Sequence, residues 1–261
     1  MIELADNFWT TLPLGRDVAI LTRDENGLVA LNKPAGVLSH PNERADEARS
    51  LLTVRYDAEE ECYVWRVPAP DGREAPSERR LWLLNRLDSA TSGAILAAAD
   101  GALALAVRGQ FKQRRIAKLY AALVFGKPRQ PTELWHDVLD IVKTGSHIRT
   151  SAGTGKTHAE SRMRVVRSRV GAMPLALIKL EPKTGRSHQL RVQCAKRQLP
   201  IVGDQTYGDF ASNREFARKT GYKRLFLHSL ETKFEYEWQG KRHAFAAAAP
   251  LPAEFEKPLH M

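Results

Sequence analysis

Apolar residues fall in short runs along this chain, and the residues between them say how the runs connect. Residues 18–22 and 28–32 form two such runs around Arg23-Asp24-Glu25-Asn26-Gly27. Asn and Gly both tolerate positive φ, so the pattern predicts an opening β-hairpin. Pro34 then stops the strand and Gly36 permits a sharp bend. Residues 42–80 are rich in charge and proline, a loop region with one short strand at 62–67. Leu81, Leu83 and Leu84, followed by the run at 94–98, read as two buried strands around a polar loop. Asp100 is placed to cap a helix over 101–110 whose Leu103, Ala106 and Val107 share a face. Residues 116–125 read as a strand. Alternation over 160–170 puts Arg162 and Arg164 on one face and Met163 and Val165 on the other, which fits a solvated face or an RNA groove equally. A strand at 175–180 leads to Ser187, a candidate cap for a helix from 188 to about 197. In that helix His188 and Arg191 share a face at i, i+3 while Leu190 and Cys194 face elsewhere. Residues 209–223 suggest a loop with a short helix, and strands follow at 225–229, 234–238 and 242–247. Many strands with few, short helices predict an α+β fold, a mixed and mainly antiparallel sheet with a cleft lined by the polar loop and the Arg191 helix.

Composition narrows the partners. The chain has 261 residues, of which 43% are hydrophobic, enough for the core of one large domain or two small ones. A formal charge of +10 points to a polyanion: RNA, DNA or an anionic membrane. No apolar run approaches the roughly 20 residues needed to span a bilayer, and MIELADNFWTT lacks the basic start and apolar stretch of a signal peptide. The expected location is the cytoplasm. Cys62 and Cys194 are too few for a disulfide framework, and the eight histidines show no ligand spacing, so no metal is expected. Gly153-Thr154-Gly155-Lys156-Thr157 looks like a phosphate-binding loop, but Thr150 stands where its first glycine belongs and no buried strand precedes it.

The chemistry centres on Asp88. An aspartate before Ser-Ala-Thr-Ser-Gly is most simply a turn or cap residue; mounted between two buried strands it becomes a rigidly held acid. A hundred residues on, Lys183-Thr184-Gly185-Arg186-Ser187-His188 joins a glycine turn, two cations and a helix start, a generic anion cradle.

Asn85-Arg86-Leu87-Asp88-Ser89-Ala90-Thr91-Ser92-Gly93 resembles the H-R-L-D-x-x-T-S-G signature of the RluA family of pseudouridine synthases, differing at its first position. Lys33-Pro34-Ala35-Gly36 matches the family's turn near the start of the catalytic domain. Residues 118–124 resemble its Lys-x-Tyr-x-Ala-x-Val, and residues 183–193 its Lys-Thr-Gly-Arg-x-His-Gln-Ile-Arg-Val-His, with Gln193 in place of the final His. The segment PIVGDQTYG at 200–208 continues the likeness through its Gly-Asp and Tyr-Gly pairs. The resemblance implies one catalytic domain over 1–261 with a charged loop insertion at about 42–80, and no S4-type RNA-binding module ahead of it. It also implies isomerisation of uridine in ribosomal or transfer RNA, with no cofactor and a monomeric protein.

By that resemblance Asp88 is the catalytic acid, Arg191 the cation that keeps it ionised, and Tyr120 the ring that stacks on a flipped uracil. Arg86 fills the gap that the base leaves or holds the adjacent backbone, and Lys33 faces RNA with Lys183, Arg186 and His188 as further substrate contacts. An RNA-binding or chaperone protein of the same fold that has lost catalysis is one alternative. A nucleoside or glycoside hydrolase is another, but it would want a second acid that neither motif supplies.

Overall fold

A computed structural model of the chain describes residues 6–68, 76–144, 147–152 and 157–261; the look-alike phosphate loop at 153–157 falls almost wholly outside them. The chain divides into two compact units, Met1–Ile116 with Lys233–Ala248, and Ala117–Thr232 with Ala249–Met261.

The first unit contains α1 (Asp6–Thr10), β1 (Ala19–Arg23), β2 (Leu28–Lys33), β3 (Tyr56–Asp57), β4 (Cys62–Val67), β5 (Ser77–Leu83), β6 (Ser92–Ala98) and α2 (Gly101–Lys112). The predicted hairpin is present: Asp24 accepts from the N–H groups of Asn26 and Leu28, and Gly27 takes φ 100°. β6 is buried along its whole length between β5 and β2, both antiparallel to it. A strand covered on both faces reads as an unbroken apolar run, as residues 94–98 do. Asp100 caps α2 by accepting from Leu103 N–H at 2.8 Å, as expected. The buried face, however, is Leu103, Ala104 and Val107, while Ala106 is exposed. That face packs on Leu28, Ala30, Leu84, Leu96 and Ala98. Within 42–80, β4 pairs with both β3 and β5, so the charged segment is more strand-rich than its composition suggested.

In the second unit β7 (Ala117–Phe125), β8 (Thr132–Thr144), β9 (His147–Ala152), β10 (Thr157–Arg169) and β11 (Leu175–Pro182) pair antiparallel in the order β7-β11-β10-β8-β9. On β10, Arg162 and Arg164 are exposed and Met163 is buried, matching the alternation. α3 (Gln189–Lys196) and α4 (Phe210–Thr220) follow. α4, expected as a short helix in a loop, runs for 11 residues because Asp209 accepts from Ala211 and Ser212 N–H at one end and left-handed Gly221 closes the other. β12 (Leu227–Trp238) is one strand where two were expected, and Gln239-Gly240, both at positive φ, turns it into β13 (Lys241–Ala248).

Candidate active site

The acid loop joins β5 to β6 and is pinned at its backbone. Leu84 N–H donates to Leu96 O, and Leu96 N–H donates to Asn85 Oδ1 at 2.8 Å. Asn85, the one departure from the acid signature, therefore holds the loop to β6. Buried Ser39 donates to Leu87 O at 2.7 Å and accepts from Leu87 N–H at 3.0 Å. Two residues on, Ser89 O accepts from Lys33 Nζ at 2.9 Å and from Gly36 N–H at 2.8 Å. Asp88 thus sits between two anchored neighbours, with its own carbonyl taken by Thr91 N–H at 3.0 Å. Its side chain is half-buried and that of Arg86 is exposed.

Lys33 is not an RNA-facing cation. It is 0% exposed, and its ammonium donates to the carbonyls of Pro34, Val37 and Ser89 at 3.0, 2.5 and 2.9 Å. Three carbonyls around one ammonium tie the Lys-Pro-Ala-Gly turn to the acid loop. Lys33→Met keeps the stem and removes the donors. It is expected to lower stability by about 3 kcal/mol, since unmet buried carbonyls cost roughly 1–3 kcal/mol each and partly recover. Urea unfolding measures that loss, and turnover should fall with RNA affinity unchanged.

In the second unit, alternation along β7 puts Lys118 and Tyr120 on one face, and both are half-buried. Tyr120 lies opposite Leu180 of β11. The turn after β11 leaves Lys183 and Arg186 exposed. Its shape comes from Gln189, whose Oε1 accepts from Thr184 Oγ1 at 2.7 Å and from Arg186 N–H at 3.1 Å. The residue entering α3 is His188, in the left-handed region at φ 54°, and it makes no side-chain cap; the expected Ser187 cap is replaced by the Gln189 brace. His188 and Arg191 do share a face, because both meet Tyr207: His188 Nδ1 lies 2.8 Å from its hydroxyl, and the Arg191 guanidinium stands 5.0 Å over its ring.

Arg191, 8% exposed, grips Asp204 in a two-pronged pair, Nε to Oδ2 and Nη2 to Oδ1, both at 2.8 Å. Burial alone would raise the Asp204 pKa. The Arg191 bonds and charge, with N–H groups of Tyr207 and Thr206 on Oδ1, outweigh that and hold it below the usual carboxylate range. The Gly-Asp and Tyr-Gly pairs are thereby explained. Gly203, at φ 77°, packs so that a Cβ would fall 1.8 Å from Arg224 O, and one on Gly208 would fall 2.2 Å from Asp204 O. Asp204 and Tyr207 were absent from the predicted site, although these glycine pairs were the signal for them. Gln193, the departure in the second motif, is fully buried between Ser161 and Asp137, at 2.7 and 2.9 Å, where it holds α3 to the sheet.

The family profile described as RNA pseudouridylate synthase matches residues 27–196, which include the motifs from Lys33 to Gln193. A tRNA pseudouridine synthase C of Haemophilus ducreyi is 30% identical over 229 residues, 84% of this chain and 86% of the relative. A ribosomal large subunit pseudouridine synthase D of Borreliella burgdorferi is 28% identical over 196 residues, 75% and 56% of the two chains. The solved human RNA pseudouridylate synthase domain containing 1 superposes with a TM-score of 0.65 at 21% identity, over 92% of this chain and 87% of its own, a likeness of fold. With a profile covering most of the chain, relatives along nearly all of it and the motifs each in family order, the chain belongs to the RluA family of RNA pseudouridine synthases, isomerases that act on uridine in RNA.

Proposed function

We propose that this protein converts a uridine of transfer RNA into pseudouridine, with Asp88 as the reacting acid. The reaction breaks the N1–C1′ bond, turns the uracil and rejoins it through C5; C5 loses its proton, N1 gains one, and nothing is oxidised. No cofactor is called for. A carboxylate is needed at the sugar, either as a nucleophile on C1′ or as a base for the C2′ proton, the use glycosidases make of acids at an oxocarbenium-like centre.

The observation that carries the reading is the mounting of Asp88. Ser39 fixes Leu87 and Lys33 fixes Ser89, so the acid between them is positioned before substrate arrives, which is where much of an enzyme's rate advantage originates. A base inside a helix cannot be reached there, so the target nucleotide is flipped out. Tyr120 stacks on the extruded uracil, a contact worth about 1–3 kcal/mol, and Arg86 takes its place in the RNA. Arg191 is the cation assigned to the reacting acid, while Lys183, Arg186 and His188 meet the backbone. Transfer RNA is favoured over ribosomal RNA by the name and the even coverage of the Haemophilus relative. Among the described residues no helix is long and apolar enough to cross a membrane, and we place the enzyme in the cytoplasm as a monomer.

Pseudouridine mapping of total RNA from cells with and without the gene tests the proposal. One or a few transfer RNA positions are expected to disappear. Loss confined to ribosomal RNA would move the target, and an unchanged map would overturn the activity.

A further inference from the structure

Among the described residues of its own unit, Lys118 is a cation without an answer. Burial pushes its ammonium below the ordinary lysine range. Among the described residues, no carboxylate, carbonyl or hydroxyl accepts a hydrogen bond from it. Buried charges in proteins are paired, because taking an ion out of water is costly. Lys33 shows the ordinary solution within this same chain, with three carbonyls around its ammonium. Among the described residues Lys118 lacks it, which leaves its place open to a partner from outside the chain.

Its surroundings define that partner. The Lys118 ammonium ends 3.4 Å from where a side chain on Gly185 would begin, so the absence of a side chain there leaves it open ground. Gly185 lies between Lys183 and Arg186, both exposed, on the turn braced by Gln189 and by Lys183 N–H to Glu160 O at 2.9 Å. Tyr120 shares the Lys118 face of β7. Three cations around one rigid turn, one of them desolvated, suit a compact anion of high charge density, and beside an aromatic ring in an RNA enzyme that anion is a phosphodiester.

We propose that Lys118, with Lys183 and Arg186, forms a phosphate subsite that holds one backbone phosphate of the RNA next to Tyr120. The inference rests on the reading that the chain acts on RNA. Lys118 is the discriminating member of the subsite, since Lys183 and Arg186 are free to follow a displaced backbone while Lys118 is confined to one place. Its charge is bought with stability in the empty enzyme and offset when phosphate arrives.

That balance separates the proposal from a structural role. Lys118→Met removes the charge and keeps the stem, and it should melt at a higher temperature than the wild type when no RNA is present. In binding titrations of a transfer RNA transcript against salt, the slope of log K on log salt should become shallower by about 0.7–0.9, the value of one lost phosphate contact. KM for the transcript should rise roughly five- to tenfold, with kcat within about twofold. Lys118→Arg should restore the salt slope. An unchanged slope in Lys118→Met, or a lower melting temperature in place of a higher one, overturns the subsite. If the wild type makes no pseudouridine in any RNA and the slope still changes, the subsite stands and the uridine reading falls; if activity is normal and the slope does not change, the reverse holds.

Discussion

Asp88→Asn is expected to abolish pseudouridine formation while leaving RNA binding and stability close to those of the wild type. The amide has the shape of the carboxylate but is neither a nucleophile nor a base, so the loss should be on the order of 10⁴-fold or more. The fold should tolerate the change because the loop is held by backbone groups and by other side chains: Ser39 on Leu87, Lys33 and Gly36 on Ser89, Leu96 on Asn85. Two measurements on one preparation decide it. Release of the C5 proton from uridine-labelled transfer RNA reports the chemistry, and a filter-binding titration reports the complex. Retained turnover removes Asp88 from the mechanism. A parallel loss of binding would make the residue a contact for the RNA. Lys33→Met complements this variant, since it loosens the mount and keeps the acid; its turnover should fall by far less than that of Asp88→Asn.

The difference between those two residues shows what the sequence could and could not disclose. Asp88 was legible because its neighbours form two buried strands with a polar interruption, a pattern that is local in the chain. The role of Lys33 was not, because a lysine reads as surface until its environment is known. Here that environment is three carbonyls, one of them 56 residues away, and no periodicity encodes such a contact. The start of α3 was misread for a related reason. Ser187 has the chemistry of a cap, but the helix is entered through left-handed His188, and Gln189 reaches back to brace the Arg186 N–H ahead of it. The two strands expected at 225–229 and 234–238 are one, since Glu231 is half-buried and Thr232 fully buried within an element that charge alone seemed to divide. Asp204 lies furthest from sequence reasoning. A single buried acid has no pattern of its own, and only the glycines on either side, forced by close backbone approach, marked the place.

Removing Asp204 is expected to damage the protein more than removing the arginine it holds. The pair is buried on both sides, with side-chain exposures of 9% and 1%, and breaking such a pair from one side typically costs about 3–5 kcal/mol. The two sides are not equivalent. In Arg191→Met the carboxylate keeps the N–H groups of Thr206 and Tyr207, and it can take up a proton. In Asp204→Ala the guanidinium cannot lose its charge at any ordinary pH and is left over the Tyr207 ring. Urea unfolding at pH 7 should therefore place Asp204→Ala below Arg191→Met. Activity should run the other way, with Arg191→Met the slower enzyme if its charge serves Asp88 and Asp204→Ala impaired through misorientation of that charge. Equal activity losses with RNA binding weakened most at low salt, along a shallower salt slope, would instead put Arg191 on a phosphate. The acid limb of the stability curve adds an independent check. The folded pKa of Asp204 is depressed, so its contribution is fully present above the unfolded carboxylate pKa and is lost as pH falls through the folded value. Asp137, buried against Lys196 and Arg197, behaves the same way, so the wild type alone cannot isolate Asp204. The difference in melting temperature between wild type and Asp204→Asn can: it should hold level from pH 7 down to about pH 4, the unfolded carboxylate range, and shrink as pH falls further. A difference that stays level as the pH falls well below about 4 would mean that the carboxylate charge contributes nothing, and that Arg191 is positioned by packing against Tyr207 alone.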